Sequence, residues 1–129
     1  MNGRFLLDTN IVIALFANET AVVEQLQNAD EVFVPAIVLG ELYFGALKSR
    51  RSQANTQRVS DFDAQSSVLA CDSGVAMAYG LIKSRLATKG RPIPENDLWI
   101  AAIATHHGLT LVSRDLHFGE IGSLSVQSW

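Results

Sequence analysis

The sequence predicts an α/β fold, a three-layer α/β/α sandwich whose central, mostly parallel sheet has four to five strands. Short apolar segments alternate with longer segments of helical periodicity, and this alternation implies a parallel sheet covered by helices on both faces. The 129 residues, 48% of them hydrophobic, suffice for one substantial core and contain no repeat or polar linker. We therefore expect one domain over residues 1–129.

The first part of the chain predicts two strands and two helices. Residues 4–7 predict a buried strand, and residues 9–16 a helix or helical turn directly after it. Residues 19–28 predict a second helix, with Asn18 as its capping candidate. Residues 31–34 predict the second strand.

The middle of the chain predicts two helices and a third strand. Pro35 suits the start of a helix over residues 36–48, and the polar residues 49–65 predict an exposed helix. Residues 67–71 predict a strand that ends at the single cysteine, Cys71. Because Cys71 closes an apolar run, we expect a buried, unreactive thiol.

The last third of the chain completes the alternation. An amphipathic helix is predicted at 73–88, ended by Gly90, and an extended connector at 91–94. A helix follows from 96 or 97 to 107, closed by Gly108, and then a strand at 109–112 and an edge strand at 123–127.

Hydropathy and charge bear on where the protein is located and on whether it binds nucleic acid. No apolar stretch approaches the roughly 20 residues that a membrane helix needs, and Asp8 comes too early for a signal peptide, so we expect a cytoplasmic protein. The net charge of −3 does not indicate a uniformly basic surface. Lys48, Arg50 and Arg51 nevertheless fall within four positions. This cluster is consistent either with a solvated helix end or with a contact to an RNA backbone.

Four carboxylates interrupt apolar segments. Asp8 follows the first strand, Glu41 is the only charged residue between Pro35 and Leu47, Asp97 begins an apolar helix, and Asp115 follows the fourth strand. In a parallel sheet Asp8 and Asp115 emerge from the same edge, and the start of the following helix brings Asp97 nearby. Clustered carboxylates repel each other, and a divalent cation relieves that repulsion. Oxygen ligands without a cysteine or paired-histidine motif favour Mg²⁺ or Mn²⁺, which suits hydrolysis of a phosphodiester.

Each carboxylate is also consistent with an ordinary structural role. Asp8 and Asp97 suit helix N-caps equally well, Asp115 suits a turn, and Glu41 suits a solvent-facing position. Glu95 adds a carboxylate that we assign to an exposed loop.

The four carboxylates lie in motifs that resemble those of the PIN-domain family, in particular its VapC-type ribonuclease toxins from bacterial toxin–antitoxin pairs. The motifs are FLLDTN at 5–10, VLGEL at 38–42, IPENDLWIAA at 93–102 and LTLVSRDLHF at 109–118. They occur in the family's order and span nearly the whole chain.

The resemblance implies a PIN-like fold and an endoribonuclease that depends on Mg²⁺ or Mn²⁺. It assigns metal binding and catalysis to Asp8, Glu41, Asp97 and Asp115, and supporting roles to two polar residues, Thr9 and Ser113. It also implies a homodimer, a substrate such as tRNA or another structured RNA, and a cognate antitoxin that covers the active site.

One motif departs from the family pattern. Many relatives have an acidic residue directly before the phenylalanine of the closing motif, where this chain has His117 before Phe118. His117 is consistent with a metal ligand, a phosphate contact or a surface residue without a role. His106 and His107, at a predicted helix end, are expected to act as capping residues.

Three other functions fit parts of the pattern. A non-catalytic PIN-like module would bind RNA or protein without cutting it, and a plain interaction domain would use the apolar helix around Tyr43 and Phe44. A metal-dependent phosphatase of the haloacid-dehalogenase type would need a second aspartate two positions after Asp8, where this chain has Asn10.

Overall fold

The computed structural model describes residues 3–129 and consists of a five-stranded, wholly parallel sheet flanked by helices. The spatial order of the strands is β3-β2-β1-β4-β5. The strands are β1 (Arg4–Leu7), β2 (Glu31–Pro35), β3 (Ser67–Leu69), β4 (Thr110–Val112) and β5 (Val126–Gln127). The predicted fold class is thereby confirmed.

Six α-helices and one short 3-10 helix connect the strands. They are α1 (Thr9–Phe16), α2 (Thr20–Asn28), α3 (Ala36–Leu47), α4 (Ser52–Ala64), α5 (Ser73–Lys89), α6 (Glu95–His107) and the 3-10 helix (Leu116–Glu120). The chain runs outward from β1 to β2 and β3, and then back across the sheet to β4. Because crossovers between parallel strands are right-handed, this reversal places α5 and α6 on the face opposite α1 to α4.

The core lies on both faces of β1 and along α6. Phe5, Leu6 and Leu7 are buried on successive positions, as expected for a central parallel strand covered on both sides. All five residues from Ile100 to Ala104 are fully buried, so α6 is apolar around its whole circumference. This helix packs mainly against α5 and also contacts β4 and α3.

The strand order opens a crevice at the carboxyl ends of β1 and β4. Connections leave these neighbouring strands in opposite directions, and open α/β sheets bind ligands at such a switch point. The register pairs Leu7 with Val112, so residues 8 and 113 leave the sheet side by side. The first and last motifs of the sequence therefore meet in space.

Two local predictions were wrong, and one short element was unexpected. Cys71 is exposed, because the edge strand β3 ends at Leu69 and the thiol lies in the loop before α5. Asn18 does not cap α2; the cap is Glu19, and Asn18 has a φ of 56°, which asparagine tolerates better than most residues. The 3-10 helix was not predicted at all. Within residues 3–129, no helix is long and apolar enough to cross a membrane.

Candidate active site

Asp8 is the buried centre of the crevice, with a relative exposure of 5%. It caps α1 through Oδ1, which accepts a hydrogen bond from the Thr9 amide at 2.8 Å. Its other oxygen, Oδ2, accepts hydrogen bonds from Ser113 Oγ at 2.7 Å and Asn10 Nδ2 at 3.4 Å. The capping role proposed for Asp8 is therefore real, and it does not exclude a role in the crevice.

Ser113 connects the two strand ends. It is buried, and besides donating to Asp8 its Oγ accepts a hydrogen bond from the Asp115 amide at 3.0 Å. Asn10 adds a second link, since its Oδ1 accepts a hydrogen bond from the Arg114 amide at 3.1 Å. The loop after β4 is thus held against the start of α1.

Asp97 and Asp115 lie beside each other, with His117 between their carboxylates. His117 Nδ1 is 3.3 Å from Asp97 Oδ2 and 3.0 Å from Asp115 Oδ1. Asp97 does not cap α6, which begins two residues earlier after Pro94, so its carboxylate is available for another role. Asp115 does cap the 3-10 helix through the His117 amide. Ligand atoms of these three residues all lie within 4.8 Å of one another.

Glu41 reaches the crevice from α3 and carries an unpaired buried oxygen. Its Oε1 is inaccessible to solvent and has no hydrogen-bond partner among residues 3–129, and the same holds for Thr9 Oγ1. The Thr9 hydroxyl is near enough to favour the ionised form of Glu41, although the two groups do not meet the geometry of a hydrogen bond. An unpaired buried carboxylate oxygen is costly unless a ligand satisfies it.

The electrostatics of the crevice oppose ionisation. Burial raises the pKa of Asp8, Glu41 and Asp97, and like charge adds to this effect. The negative charge of Asp115 raises the pKa of Asp8. The charges of Asp8 and Asp97 raise the pKa of Glu41, and those of Asp8 and Asp115 raise the pKa of Asp97. The structure thus brings the four predicted carboxylates together. A divalent cation fits this donor set, because it would offset the repulsion and satisfy Glu41 Oε1.

The predicted RNA-contacting residues lie apart from the carboxylates. Lys48 follows α3, seven residues after Glu41, which is roughly 10 Å along the helix axis. Arg50 and Arg51 lie in the turn before α4, and both are exposed. Asn10 was not predicted to be a site residue, although it is the last residue of the FLLDTN motif.

A partly apolar groove adjoins Glu41 on the α1, α3 and α4 side. It has a volume of about 220 Å³, and its lining includes Thr9, Ile13, Phe16, Leu42, Gly45 and Arg58. Ile13 is 55% exposed, which is unusual for an isoleucine in such an apolar helix. Arg58 stacks over the Phe16 ring and donates a hydrogen bond to the Phe16 carbonyl. The groove therefore joins an apolar surface to the Glu41 carboxylate.

Comparison with known proteins gives consistent matches over nearly the full chain. Residues 5–124 match the PIN domain. Ribonuclease VapC2 of Haemophilus influenzae is 36% identical over 129 residues, and the tRNA(fMet)-specific endonuclease VapC of Shigella flexneri is 33% identical; each alignment covers 98% of both chains. Among solved structures, DNA-bound VapBC from Salmonella typhimurium matches with a TM-score of 0.91 and 31% identity over 98% of each chain.

Proposed function

This chain belongs to the PIN-domain family, as a VapC-type ribonuclease toxin, and on that premise we propose that it is an endoribonuclease dependent on Mg²⁺ or Mn²⁺. It would hydrolyse RNA phosphodiester bonds in the cytoplasm and act as the toxin of a toxin–antitoxin pair. The observation that carries the proposal is the convergence of four carboxylates around a buried, unpaired Glu41 oxygen.

Asp8, Glu41, Asp97 and Asp115 would hold the ion. When bound, a divalent cation supplies an activated water and offsets the charge that develops on the phosphoryl group. Carboxylates suit Mg²⁺ and Mn²⁺ better than zinc. We assign catalysis to these four residues as a set, because charge interactions link each of them to at least one of the others.

Supporting residues would keep the carboxylates in place. Ser113 holds Asp8 by donating to it and positions Asp115 by accepting from its amide. Thr9 fixes Asp8 Oδ1 through its amide, and its unpaired hydroxyl lies near Glu41. Such partners matter because they restrict the orientation of groups that bind a metal.

We propose structured RNA, tRNA being the leading candidate, as the substrate. The relative from Shigella flexneri is named for tRNA cleavage, and it matches nearly the whole chain. Lys48, Arg50 and Arg51 would contact the phosphate backbone, since none of them makes a salt bridge among the described residues and all three are accessible to solvent. A backbone contact at this distance from the carboxylates suits an RNA that spans several nucleotides.

We propose that the cognate antitoxin occupies the groove beside Glu41. Similar solved proteins are complexes named VapBC. The apolar lining favours an apolar segment, and the Glu41 carboxylate favours a basic residue at its end. A segment seated there would block access to Glu41. Protection of Ile13 and Leu42 from hydrogen exchange on complex formation is the measurement that checks this placement.

We further propose that the protein forms a homodimer through α5. Met77 and Leu81 are one helical turn apart and are 69% and 50% exposed, so they form an apolar patch on one face. Sedimentation velocity of the free chain would show a monomer if this proposal is wrong.

RNA cleavage by the purified chain tests the proposed activity. We expect cuts in a mixed RNA pool with Mg²⁺ or Mn²⁺, none with EDTA, and none with Asp8→Asn. The asparagine keeps the volume and the capping ability of Asp8 but removes its charge. Asp30→Asn is the matched control, because Asp30 lies before β2, outside the crevice, and accepts a hydrogen bond from the Gly3 amide.

The outcome separates an enzyme from a binding module. Loss of cutting in Asp8→Asn, with full activity in Asp30→Asn, would support the proposal. RNA that is bound but not cut by the antitoxin-free protein at any metal concentration would instead favour a non-catalytic PIN-like module. Undiminished cutting by Asp8→Asn would remove Asp8 from the site.

A further inference from the structure

A second cluster of ligating side chains lies where the start of α5 meets the end of α6. Asp72, His106 and His107 each offer a ligand atom, and these atoms lie within 4.8 Å of one another. Asp72 and His106 are exposed and His107 is half-buried, so the cluster is open to solvent. Asp72 is more than 30 positions away from the two histidines in the sequence, and the fold alone brings the three residues together.

The packing of α5 on α6 fixes this junction. Tyr79 of α5 stacks on Trp99 of α6 with ring centroids 3.9 Å apart, and Gly74, five residues earlier on α5, faces His106. A Cβ atom at position 74 would overlap the His106 ring. The imidazole of His106 therefore occupies space that only a glycine at position 74 leaves open.

Asp72 has an oxygen to spare for a ligand. Its Oδ1 caps α5 by accepting a hydrogen bond from the Val75 amide at 3.0 Å. That bond, together with the nearby imidazoles, holds the pKa of Asp72 below its ordinary value, so the carboxylate is ionised at neutral pH. Its Oδ2 makes no hydrogen bond to another side chain among residues 3–129, which leaves lone pairs available to an ion.

We propose that Asp72, His106 and His107 form a surface site for a transition-metal ion, with zinc as the preferred occupant. Two imidazoles and one carboxylate are the ligands of many zinc sites, whereas Mg²⁺ favours oxygen ligands alone. Three protein ligands leave one tetrahedral position for water. With zinc–nitrogen bonds of about 2.0–2.1 Å, two ligand atoms of a tetrahedral site lie roughly 3.4 Å from each other. The three side chains would therefore move closer together when they bind the ion.

This site is separate from the proposed nuclease centre and does not depend on it. His106 lies nine residues after Asp97 on α6, which is about 13 Å along the helix axis. A bound ion would link the loop before α5 to the end of α6. We therefore expect zinc to stabilise the helical pair without entering the carboxylate crevice.

Calorimetric titration of the metal-free chain with ZnCl₂ tests the proposal. The background variant Asp97→Asn/His117→Asn weakens zinc binding in the crevice, and it leaves His106 and His107 as the only histidines of the chain's three. We expect this background to bind one zinc ion. Adding His106→Gln should weaken that binding at least tenfold, and adding Asp72→Asn should weaken it while preserving the cap.

Two further variants test which side chains hold the zinc ion. Gly74→Ala should weaken zinc binding as His106→Gln does, because the new Cβ displaces the imidazole. Cys71→Ser should leave the binding unchanged, since Cys71 is the adjacent exposed thiol and is not among the three ligands.

Thermal unfolding gives an independent readout. Zinc should raise the unfolding temperature of the background variant and have no such effect after His106→Gln. Equal zinc affinity in the background, His106→Gln and Asp72→Asn proteins would overturn the proposal, and so would loss of binding in Cys71→Ser alone. Either result would leave His106 and His107 as solvated residues in the last turn of α6.

Discussion

At the scale of single residues, Asp8 caps a helix and also keeps an oxygen available for a ligand, two roles that the sequence presented as alternatives. One carboxylate oxygen caps α1, and the other is held by Ser113 from the neighbouring strand end. Because a carboxylate has two oxygens and several lone pairs, capping leaves capacity for a metal. Asp115 combines the same roles, since it caps the 3-10 helix and lies beside Asp97.

The residues of the crevice differ in how far the sequence identifies them. Asp8, Glu41, Asp97 and Asp115 stand out because each interrupts an apolar segment, and the structure brings all four together. The contacts of His117 with two carboxylates could not be derived from the sequence. These contacts depend on the 3-10 helix, which turns the chain back after β4. Its sequence has no clear apolar periodicity that would have predicted it.

Asp97→Asn should stabilise the metal-free protein at neutral pH. Burial and like charge raise the pKa of Asp97 in the folded state, so its ionised form opposes folding above that pKa. Protonated Asp97 contributes fully to the free energy of unfolding below its unfolded-state pKa. This contribution is lost as the pH rises through the pKa of Asp97 in the folded state. We expect the variant to unfold a few degrees higher than wild type at pH 7.5, with the difference shrinking toward pH 4.

Thermal unfolding in EDTA measures this effect, and Asp30→Asn is again the control. Added Mn²⁺ should raise the unfolding temperature of wild type more than that of Asp97→Asn. A metal-free Asp97→Asn protein that is less stable than wild type at pH 7.5 would show that Asp97 is held mainly by favourable contacts.

His117 should influence which metal supports cleavage. Its imidazole lies between Asp97 and Asp115, and a nitrogen ligand suits Mg²⁺ poorly. We expect His117→Glu, which supplies an oxygen ligand instead, to lower the ratio of Mn²⁺-supported to Mg²⁺-supported cleavage severalfold. The same ratio in wild type, His117→Glu and His117→Asn would mean that the imidazole does not contact the ion.

At the scale of secondary-structure elements, helix ends were predictable where glycine marks them. Gly90 and Gly108 close α5 and α6 with φ values of 67° and 65°, in the left-handed region that glycine adopts at little cost. The ends of β3 and the start of α2 were less predictable. β3 is a short, largely exposed edge strand, so few contacts determine where it stops.

Gly108→Ala and Gly80→Ala should change stability in opposite directions. Alanine at position 108 would have to adopt a positive φ, which costs about 1 kcal/mol or more. Gly80 lies inside α5, where a Cβ would extend into open space, so alanine there should stabilise the helix by about 0.5–1 kcal/mol. Urea unfolding of both variants checks this. A stabilising Gly108→Ala would contradict the left-handed helix end.

At the scale of the whole molecule, the strand order turns four separate motifs into one site. The alternation of strands and helices predicts a parallel sheet, but it does not say that β4 inserts beside β1. That order depends on long-range packing of α5 and α6 against the opposite face, and resemblance to the PIN-domain family supplied what periodicity could not. Periodicity also did not show which residues of the apolar helix around Tyr43 and Phe44 belong to the core. Phe44 is 66% exposed and lies outside it.

The distribution of charge over the molecule predicts the salt dependence of RNA binding. Neutralising Lys48, Arg50 and Arg51 together should reduce the slope of log affinity against log salt by about 2 units, at roughly 0.7 per lost phosphate contact. Fluorescence anisotropy measures this with Asp8→Asn protein, which we expect to bind RNA without cutting it.

Neutralising Arg85, Lys89 and Arg91, which lie on and after α5, is the matched control for total charge. If both triple variants lower the slope equally, the first cluster has no specific contact with RNA and contributes only to net charge.

A divalent ion held by carboxylates at the ends of β1 and β4 is central to the proposed activity, and anomalous diffraction from crystals containing Mn²⁺ tests for it most directly. We predict one or two manganese peaks in the crevice, at ligand distance from Asp8 and Asp97 and within reach of Glu41 and Asp115. No peak in the crevice of a protein that still cuts RNA in manganese, or a peak that persists unchanged in Asp8→Asn/Asp97→Asn crystals, would contradict it.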